Sequence, residues 1–362
     1  MCGADLSSVA AEESYERRQV WDIPQPAIEV TEHRLHRKIC AHCQTIIKAE
    51  VPENVPCGVS YGANIQAWAV YLQHGQLLPE DRLSEVFRDI FGLAIRPATL
   101  VSYGEKLAKT LLPWWENTQT ALAAAPVKHL DETGFRIGGK TAWLHVLSSE
   151  NATVYKPEPK RGTIFTALTG TVVHDHFKPY YGLKNVHHAL CNAHHLRELN
   201  ACIDDKEPWA EQMKRYLLLL SRLVKKPLSQ HTKNRLLRLY DAIIAMGLAY
   251  HENLPPFCKT APKRGKTAKR RGHNLLIRLR DFKDDVLRSL LDPAVPFTNN
   301  QAERDIRMMK VKQKISGGFR SMSGAQTFAT IRSLLSTTRK QDGNLLHAIA
   351  NALSAQPPPV IY

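Results

Sequence analysis

Three acidic residues occur where a carboxylate could reach a reacting group. Asp131 lies near the end of a predicted strand, Asp175 lies at the end of another short strand, and Glu303 lies early in a much later predicted helix. Strand ends of this kind form the edge at which open α/β sheets bind ligands. Oxygen ligands from two neighbouring strands and a helix suit two Mg²⁺ ions about 4 Å apart. Taken singly, each acid is more often a solvated or capping residue, so the chemistry depends on the three converging.

Two neighbouring acids are excluded from this group by geometry. Glu132 follows Asp131 on the strand and therefore points to the opposite face of the sheet. Asp305 lies two positions beyond Glu303, about 200° further round the helix.

The helix that contains Glu303 also presents a column of cations. Thr298, followed three residues later by Gln301, matches a capping box and predicts that this helix begins at Thr298. Apolar residues recur on one face at helical spacing, and basic residues continue from Glu303 along the face beside it. These basic residues are Arg307, Lys310 and Lys314.

Cysteine and histidine pairs suggest two further sites. Cys40 and Cys43 form a CxxC, the spacing of a zinc knuckle, and Cys2 is the one cysteine upstream of them. Because no fourth ligand stands at a convincing spacing, two readings are open: a zinc site, or a CxxC whose site has lost a ligand. Cys191 and His194 lie one helical turn apart, and we expect a structural role beside the carboxylates, with metal binding as the alternative.

The charge of the chain points to a polyanionic partner. The net charge is +15, and the segment 259–280 contains nine basic residues and no acidic one. Clustered Lys and Arg favour nucleic acid because binding releases counterions; the alternative is a solvated loop. His195 and Arg197 are further candidates for DNA contact, although a satisfied surface histidine is the commoner case.

The remaining pattern predicts an α/β protein. Two short helices flank Phe91-Gly92, with Pro97 in the first turn of the second. They form either a helix-turn-helix that places Arg96 and Thr99 near DNA or an ordinary packed pair. Strands are predicted at 127–133, 141–148, 153–156, 170–175 and in "VHHAL", a turn at Gly138-Gly139, and helices at 161–168 and from Cys191 to about Cys202.

Several blocks of sequence closely resemble transposases of the bacterial insertion-sequence sixty-six family, which are DDE enzymes. The resemblance runs from about Cys2 to Ile349. The blocks are "HLDETGFRIGGKTAWLHV", "VVHDHFKPYYGL", "HHALCNAHHLREL", "TNNQAERDIRMMKVKQKISGGFRS", "IRSLLSTTRKQDGN", "ERRQVWDIPQPAIEVTEHRLHRKICAHC" and "YLQHGQLLPEDR".

The resemblance implies roles for particular residues. Asp131, Asp175 and Glu303 would be the catalytic ligands of two Mg²⁺ or Mn²⁺ ions, and Cys2, Cys40 and Cys43 would belong to a zinc-binding region. Residues expected to contact DNA are Arg304, Arg307, Lys310, Lys312, Lys314, Arg320, Lys263, Arg264, Lys269, Arg270 and Arg271.

The resemblance also implies an α/β fold built on a ribonuclease-H-like mixed sheet with a helical insertion, preceded by a small zinc-ribbon-like segment and a helical region. Six segments follow from this. They are 1–60 (partial zinc-binding region), 61–125 (helical), 126–203 (first part of the core), 204–292 (helical and basic insertion), 293–349 (last part of the core) and 350–362 (tail).

The expected function is metal-dependent hydrolysis of a phosphodiester at the ends of an insertion sequence, followed by strand transfer. The alternatives are an inactive DNA-binding remnant and a nuclease that cuts without joining. Expected partners are DNA, at least a second copy of the chain on that DNA, and small accessory proteins of the element. With no signal peptide or long apolar run, no membrane partner is expected, and a bacterial cytoplasmic, nucleoid-associated protein is predicted. By the same resemblance, Met1-Cys2-Gly3 corresponds to the second half of the first CxxC of the zinc site, so an N-terminal truncation is also expected.

Overall fold

Two sheets are present in the computed structural model, which describes residues 3, 5, 7–10, 13, 15–52, 55, 57–255, 269–357 and 359. A small hairpin consists of β1 (Arg37–Ile39) and β2 (Ile46–Lys48). The larger sheet contains β3 (Val127–Ile137), β4 (Lys140–Ser148), β5 (Thr153–Glu158), β6 (Gly170–His174) and β7 (Val186–Leu190). The five strands predicted from sequence are therefore confirmed.

The strand order of the larger sheet is β5-β4-β3-β6-β7. β3, β4 and β5 pair antiparallel, whereas β3, β6 and β7 run parallel. The turn between β3 and β4 consists of Gly138 and Gly139, with φ of 53° and 79°. Two successive positive φ angles are the mark of a type I′ hairpin turn, which confirms the predicted turn.

Helices account for most of the remaining described chain, and none of them has the length and apolar composition needed to cross a bilayer. A π-helical turn (Tyr71–Gly75) and a 3₁₀ turn (Lys178–Gly182) interrupt the series. The helices are α1 (Ala63–Val70), α2 (Glu80–Phe91), α3 (Pro97–Thr110), α4 (Leu112–Ala124), α5 (Asn192–Asp204), α6 (Pro208–Leu223), α7 (Gln230–Glu252), α8 (Arg271–Asp281), α9 (Lys283–Val286), α10 (Arg288–Leu291), α11 (Asn300–Ser316), α12 (Met322–Lys340) and α13 (Leu345–Leu353).

One predicted helix is wrong: residues 161–168 are irregular. Pro159 and Gly162 disfavour helix at its start. Arg161 is held instead by Glu132 on β3. Phe165 and Leu168 are buried against the sheet, so tertiary contacts fix an irregular path.

The larger sheet is covered on both faces. α11 and α12 pack on one face through apolar residues of β3, β4 and β5. α4 and the irregular segment 159–169 cover the other. α1 to α3 share a second core with α12 and α13, and α5 to α8 form a third. The division into six segments remains a prediction, as does a DNA role for α2 and α3, although Arg96 is exposed at the start of α3.

The start of α11 is joined to β3 by Asn299. The helix begins at Asn300 with Asn299 as its N-cap, so the capping box predicted at Thr298 is wrong. The buried Asn299 amide makes no capping bond. Its nitrogen donates to the Leu130 carbonyl at 2.8 Å, and its oxygen lies 2.7 Å from Nδ1 of His129. The capping position is therefore used to fix the helix to the strand.

The far end of α11 returns to the tip of β3. Gly317 ends the helix with φ of 70°. At Gly318, φ is 148° and a Cβ would lie 2.5 Å from the Arg136 carbonyl oxygen, so a side chain would collide with the backbone. Phe319 then donates its N–H to that carbonyl at 2.9 Å.

The middle of α11 is fixed by a buried ion pair. Lys340 at the end of α12 lies 2.8 Å from Asp305, and Thr153 of β5 donates to the same carboxylate. Asp305 is therefore a structural acid on the side of α11 away from Glu303.

Replacing Asn299 by Ala tests the join between α11 and β3. We expect the free energy of unfolding to fall by about 2 kcal/mol, because the buried Leu130 carbonyl and His129 ring nitrogen lose their partner. Chemical denaturation measures this. Asn300→Ala, next in the chain but exposed, is the matched control and should cost less than about 0.5 kcal/mol. Equal effects of the two substitutions would contradict the account.

Candidate active site

The pairing of β3 with β6 brings Asp131 and Asp175 side by side. The last parallel pair is His129 with Val173. Asp131 stands two residues further along β3, and Asp175 is the residue that follows β6. Asp131 is the fifth residue of a strand that runs to Ile137, not near its end as predicted, but it lies just beyond the parallel pairing. The position of the two aspartates in the sheet is therefore set by the end of β6.

The Asp131 carboxyl is in an unfavourable place for a negative charge. Burial is the largest cause that raises its pKa, to about 7, and the charges of Glu132, Asp175 and Glu303 act in the same direction. The backbone N–H of Glu132 donates to Asp131 at 2.9 Å and opposes this shift. The structure therefore brings the three predicted carboxylates within electrostatic reach of one another.

Glu303, in the first turn of α11, faces α5 as well as the sheet. Its Oε1 lies 3.5 Å from an Arg197 guanidinium nitrogen, 3.7 Å from Nδ1 of His194 and 3.9 Å from Sγ of Cys191. Cys191 is the N-cap of α5 and is buried. Its sulfur accepts the Asn299 N–H at 3.1 Å, so α5 and α11 meet at this residue.

Candidate ligand atoms in the described part of the chain differ in how closely they are grouped. Among the described residues, the group with all ligand atoms within 4.8 Å of one another is Cys191, His194 and Glu303. The three carboxylates are spread more widely. A spread set is compatible with two ions about 4 Å apart, because each ion is held by only part of the set.

Glu132 is engaged on the opposite face of the sheet, as strand alternation predicts. Arg161 lies 2.6 Å from one of its oxygens, and the Tyr180 hydroxyl donates to the other. The Arg161 guanidinium also lies over the rings of Phe177 and Trp143, at 3.9 and 4.7 Å from their centroids. These contacts pack against β3 on the face of the sheet opposite Asp131.

Most of the predicted DNA-contacting residues on α11 and beyond it are exposed, and one prediction is wrong. Lys312 is buried and donates to the Ser316 hydroxyl, because the helical periodicity places it on the packed side of α11. Lys310 is exposed but donates to the Gly134 carbonyl at 3.0 Å. The exposed residues are Arg304, Arg307, Lys310, Lys314 and Arg320.

The basic insertion is described only in part. Lys263 and Arg264 lie outside the described residues. Lys269 and Arg271 are exposed, whereas Arg270 is half-buried and donates to the Pro255 carbonyl.

Two other histidine and cysteine predictions have mixed outcomes. His195 is buried, with its ring 3.0 Å from the Asn192 amide oxygen, so it is neither a surface histidine nor a DNA contact. Cys40 and Cys43 lie in the turn between β1 and β2, where hydrogen bonding to Thr45 lowers the pKa of Cys43 to about 7. Cys2 lies outside the described residues.

Sequence reasoning missed the residues that position the site. Asn299 was passed over because Thr298 offered a standard capping pattern. His129, two residues before Asp131, gave no signal beyond strand periodicity. Arg197 was weighed as a DNA contact, whereas its guanidinium lies beside Glu303. The sequence signal that could have identified Asn299 as the N-cap is the Asn299-Asn300 pair, which precedes a first turn containing Glu303.

Comparisons with known proteins bear on the family to which the chain belongs. The uncharacterized protein y4jO of Sinorhizobium fredii is 35% identical over 79 residues, which are 22% of this chain. The match spans a quarter of the length of that curated relative. The family model described as "Transposase IS66 family" matches residues 58–327, a range that includes all three carboxylates, the Cys191-His194 pair and the sheet. Since that is well over half of the chain, the protein belongs to the IS66 family of transposases.

Proposed function

We propose that the chain is a DDE-type DNA transposase in which Asp131, Asp175 and Glu303 form a metal-dependent phosphoryl-transfer centre. The observation that supports this most directly is electrostatic. Asp175 and Glu303, from β6 and α11, are close enough to Asp131 to help raise its pKa to about 7. Three acids from separate parts of the chain would be a costly arrangement without a cation to balance them.

The ligand set suits Mg²⁺ or Mn²⁺. All three candidate ligands offer hard carboxylate oxygens, which these ions prefer. The described protein contacts leave most of that capacity free. Asp131 accepts the Glu132 N–H, and Asp175 accepts the Phe177 N–H at 2.9 Å. When bound, two such ions would activate the attacking oxygen and neutralise charge on the leaving oxygen.

The surrounding residues would orient the acids and the substrate. Asn299 fixes the level of Glu303 relative to Asp131, and Arg197 lies against the Glu303 carboxylate. Arg307 and Lys314, on the exposed side of α11, would bind phosphates that flank the scissile bond. The same residues would serve a first attack by water and a second by a DNA 3′-OH.

The sheet supports a ribonuclease-H-like core. If β3 is numbered as the first strand, the strand order is 3-2-1-4-5. The central strand, β3, belongs both to the antiparallel half with β4 and β5 and to the parallel half with β6 and β7. One candidate aspartate lies on that central strand and the other at the end of the next. The helical insertion would then be the segment between α5 and α11.

The net charge of +15 favours DNA as the partner. Since two element ends must be joined, a homodimer or larger assembly on DNA is proposed, with small accessory proteins of the element as further partners. A zinc ion on Cys40 and Cys43 is proposed as the second cofactor. Their hairpin has the exposed thiol and lowered pKa that favour a thiolate ligand.

A DNA-binding remnant is the second candidate, and a nuclease that does not join strands is the third. Both retain DNA affinity, so cleavage and joining must be measured separately. Three converging carboxylates favour the active enzyme, because a passive binder gains nothing from concentrating negative charge where DNA phosphates must approach.

Replacing Glu303 by Gln tests the proposed chemistry. With Mg²⁺ or Mn²⁺ and DNA that contains the element's own ends, cleavage should fall by at least about 10³-fold, because several kcal/mol of transition-state stabilisation are lost. Affinity for that DNA should stay within a fewfold of wild type. Glu105→Gln, an exposed acid on α3, is the control and should retain activity. Cleavage by the Glu303 variant at the wild-type rate would refute the proposal. If the wild-type chain binds the DNA without forming products, the result supports the DNA-binding remnant. If it cuts the ends without joining them, the result supports the nuclease.

Replacing Arg307 or Lys314 by Ala tests the phosphate contacts. The slope of log K against log salt for DNA binding should decrease by about one for each residue removed. Titrations at several salt concentrations measure this slope. Arg215→Ala, which removes the same charge from an exposed ion pair on α6, should leave it unchanged. Equal slopes for all three variants would place the DNA elsewhere.

A further inference from the structure

The Cys191, His194 and Glu303 cluster contains a different set of donors from the three carboxylates. It offers one thiol, one imidazole nitrogen and one carboxylate oxygen, all within 4.8 Å of one another. Sulfur and imidazole are ligands that Mg²⁺ avoids and Zn²⁺ prefers. We propose that these three residues form a second cation site, for Zn²⁺ or a similar borderline divalent ion, which shares Glu303 with the carboxylate centre.

The spacing of the donors fits a tetrahedral ion. Zinc bonds of about 2.3 Å to sulfur and 2.0–2.1 Å to nitrogen and oxygen place neighbouring ligand atoms roughly 3.3–3.6 Å apart. The Glu303 oxygen lies 3.7 Å from Nδ1 of His194 and 3.9 Å from Sγ of Cys191. Small side-chain rotations would close these gaps.

The donor atoms are prepared for a ligand. Nδ1 of His194 is shielded from solvent and makes no hydrogen bond to the described residues. A buried polar atom without a partner is unfavourable unless something binds it. Its neighbours in the site are the oxygen and the sulfur that would complete the coordination.

Backbone N–H groups surround the sulfur of Cys191. The sulfur lies at the N-terminus of the 13-residue helix α5, where the helix dipole stabilises negative charge. The Asn299 N–H donates to it at 3.1 Å, and the amides of Ala193 and His194 also face it.

The fourth position would be open. A cavity of about 250 Å³ adjoins Cys191 and His194 and is also lined by Asp175. Three protein ligands with one open position is the pattern of zinc sites that bind water or substrate. If Glu303 has the catalytic role proposed above, an ion here would draw it from the carboxylate centre; the binding itself does not depend on that role.

Cobalt absorption tests the site without DNA. The probe is Co²⁺ alone, added to the full chain in which Cys40 and Cys43 are replaced by Ser to silence the hairpin. We expect a thiolate-to-cobalt charge-transfer band that saturates at one ion per chain and is displaced by Zn²⁺ but not by excess Mg²⁺. Cys191→Ser should abolish the band. Cys202→Ser, a buried cysteine on the same helix, should retain it.

A second variant guards against misfolding of the first. His194→Gln alters a side chain that is 38% exposed and should weaken cobalt binding at least tenfold while circular dichroism remains that of the wild type. Absence of the band in the starting protein, its persistence in Cys191→Ser, or full affinity in folded His194→Gln would each overturn the proposal. Failure of transposition would have no bearing on these readings.

Discussion

The Asn299 side chain joins parts of the chain that are 170 residues apart. Its side-chain amide bonds the Leu130 carbonyl and the His129 ring, from the two residues before Asp131, and its backbone N–H bonds the Cys191 sulfur. One buried residue therefore sets the height of α11 relative to both β3 and α5. Together with the Asp305–Lys340 ion pair, this residue fixes the position of Glu303 relative to the sheet.

The position of α11 brings the three carboxylates together beside the sulfur and imidazole donors of Cys191 and His194. Burial and neighbouring acids raise the pKa of Asp131, and Glu303 lies between that charge and the Cys191-His194 pair. The Asp305–Lys340 ion pair and the Gly318 contact fix the rest of α11, so the helix has little freedom to relieve the repulsion. A cation bound among these carboxylates would offset the repulsion between their charges.

Sequence alone predicted the strands and their turn, since period-two patterns and paired glycines are local signals. The three carboxylates were singled out by their contexts together with the family resemblance, and their shared role is a proposal. Sequence reasoning erred where tertiary contacts decide. Residues 161–168 follow an irregular path set by Arg161 and Glu132. Lys312 is buried because it continues the packed face of α11 three residues after Met309. The α11 cap was misplaced because the Asn299 amide binds a strand 170 residues away, and no local rule detects a partner at that distance.

The central claim is that Asp131, Asp175 and Glu303 hold divalent cations together. Anomalous diffraction from crystals of the protein soaked in Mn²⁺ tests it most directly, because manganese is located without assuming any activity. Density bounded by all three carboxylates, and lost in crystals of the Glu303→Gln variant, is the predicted result. Saturating Mn²⁺ with no density between these side chains would contradict the account.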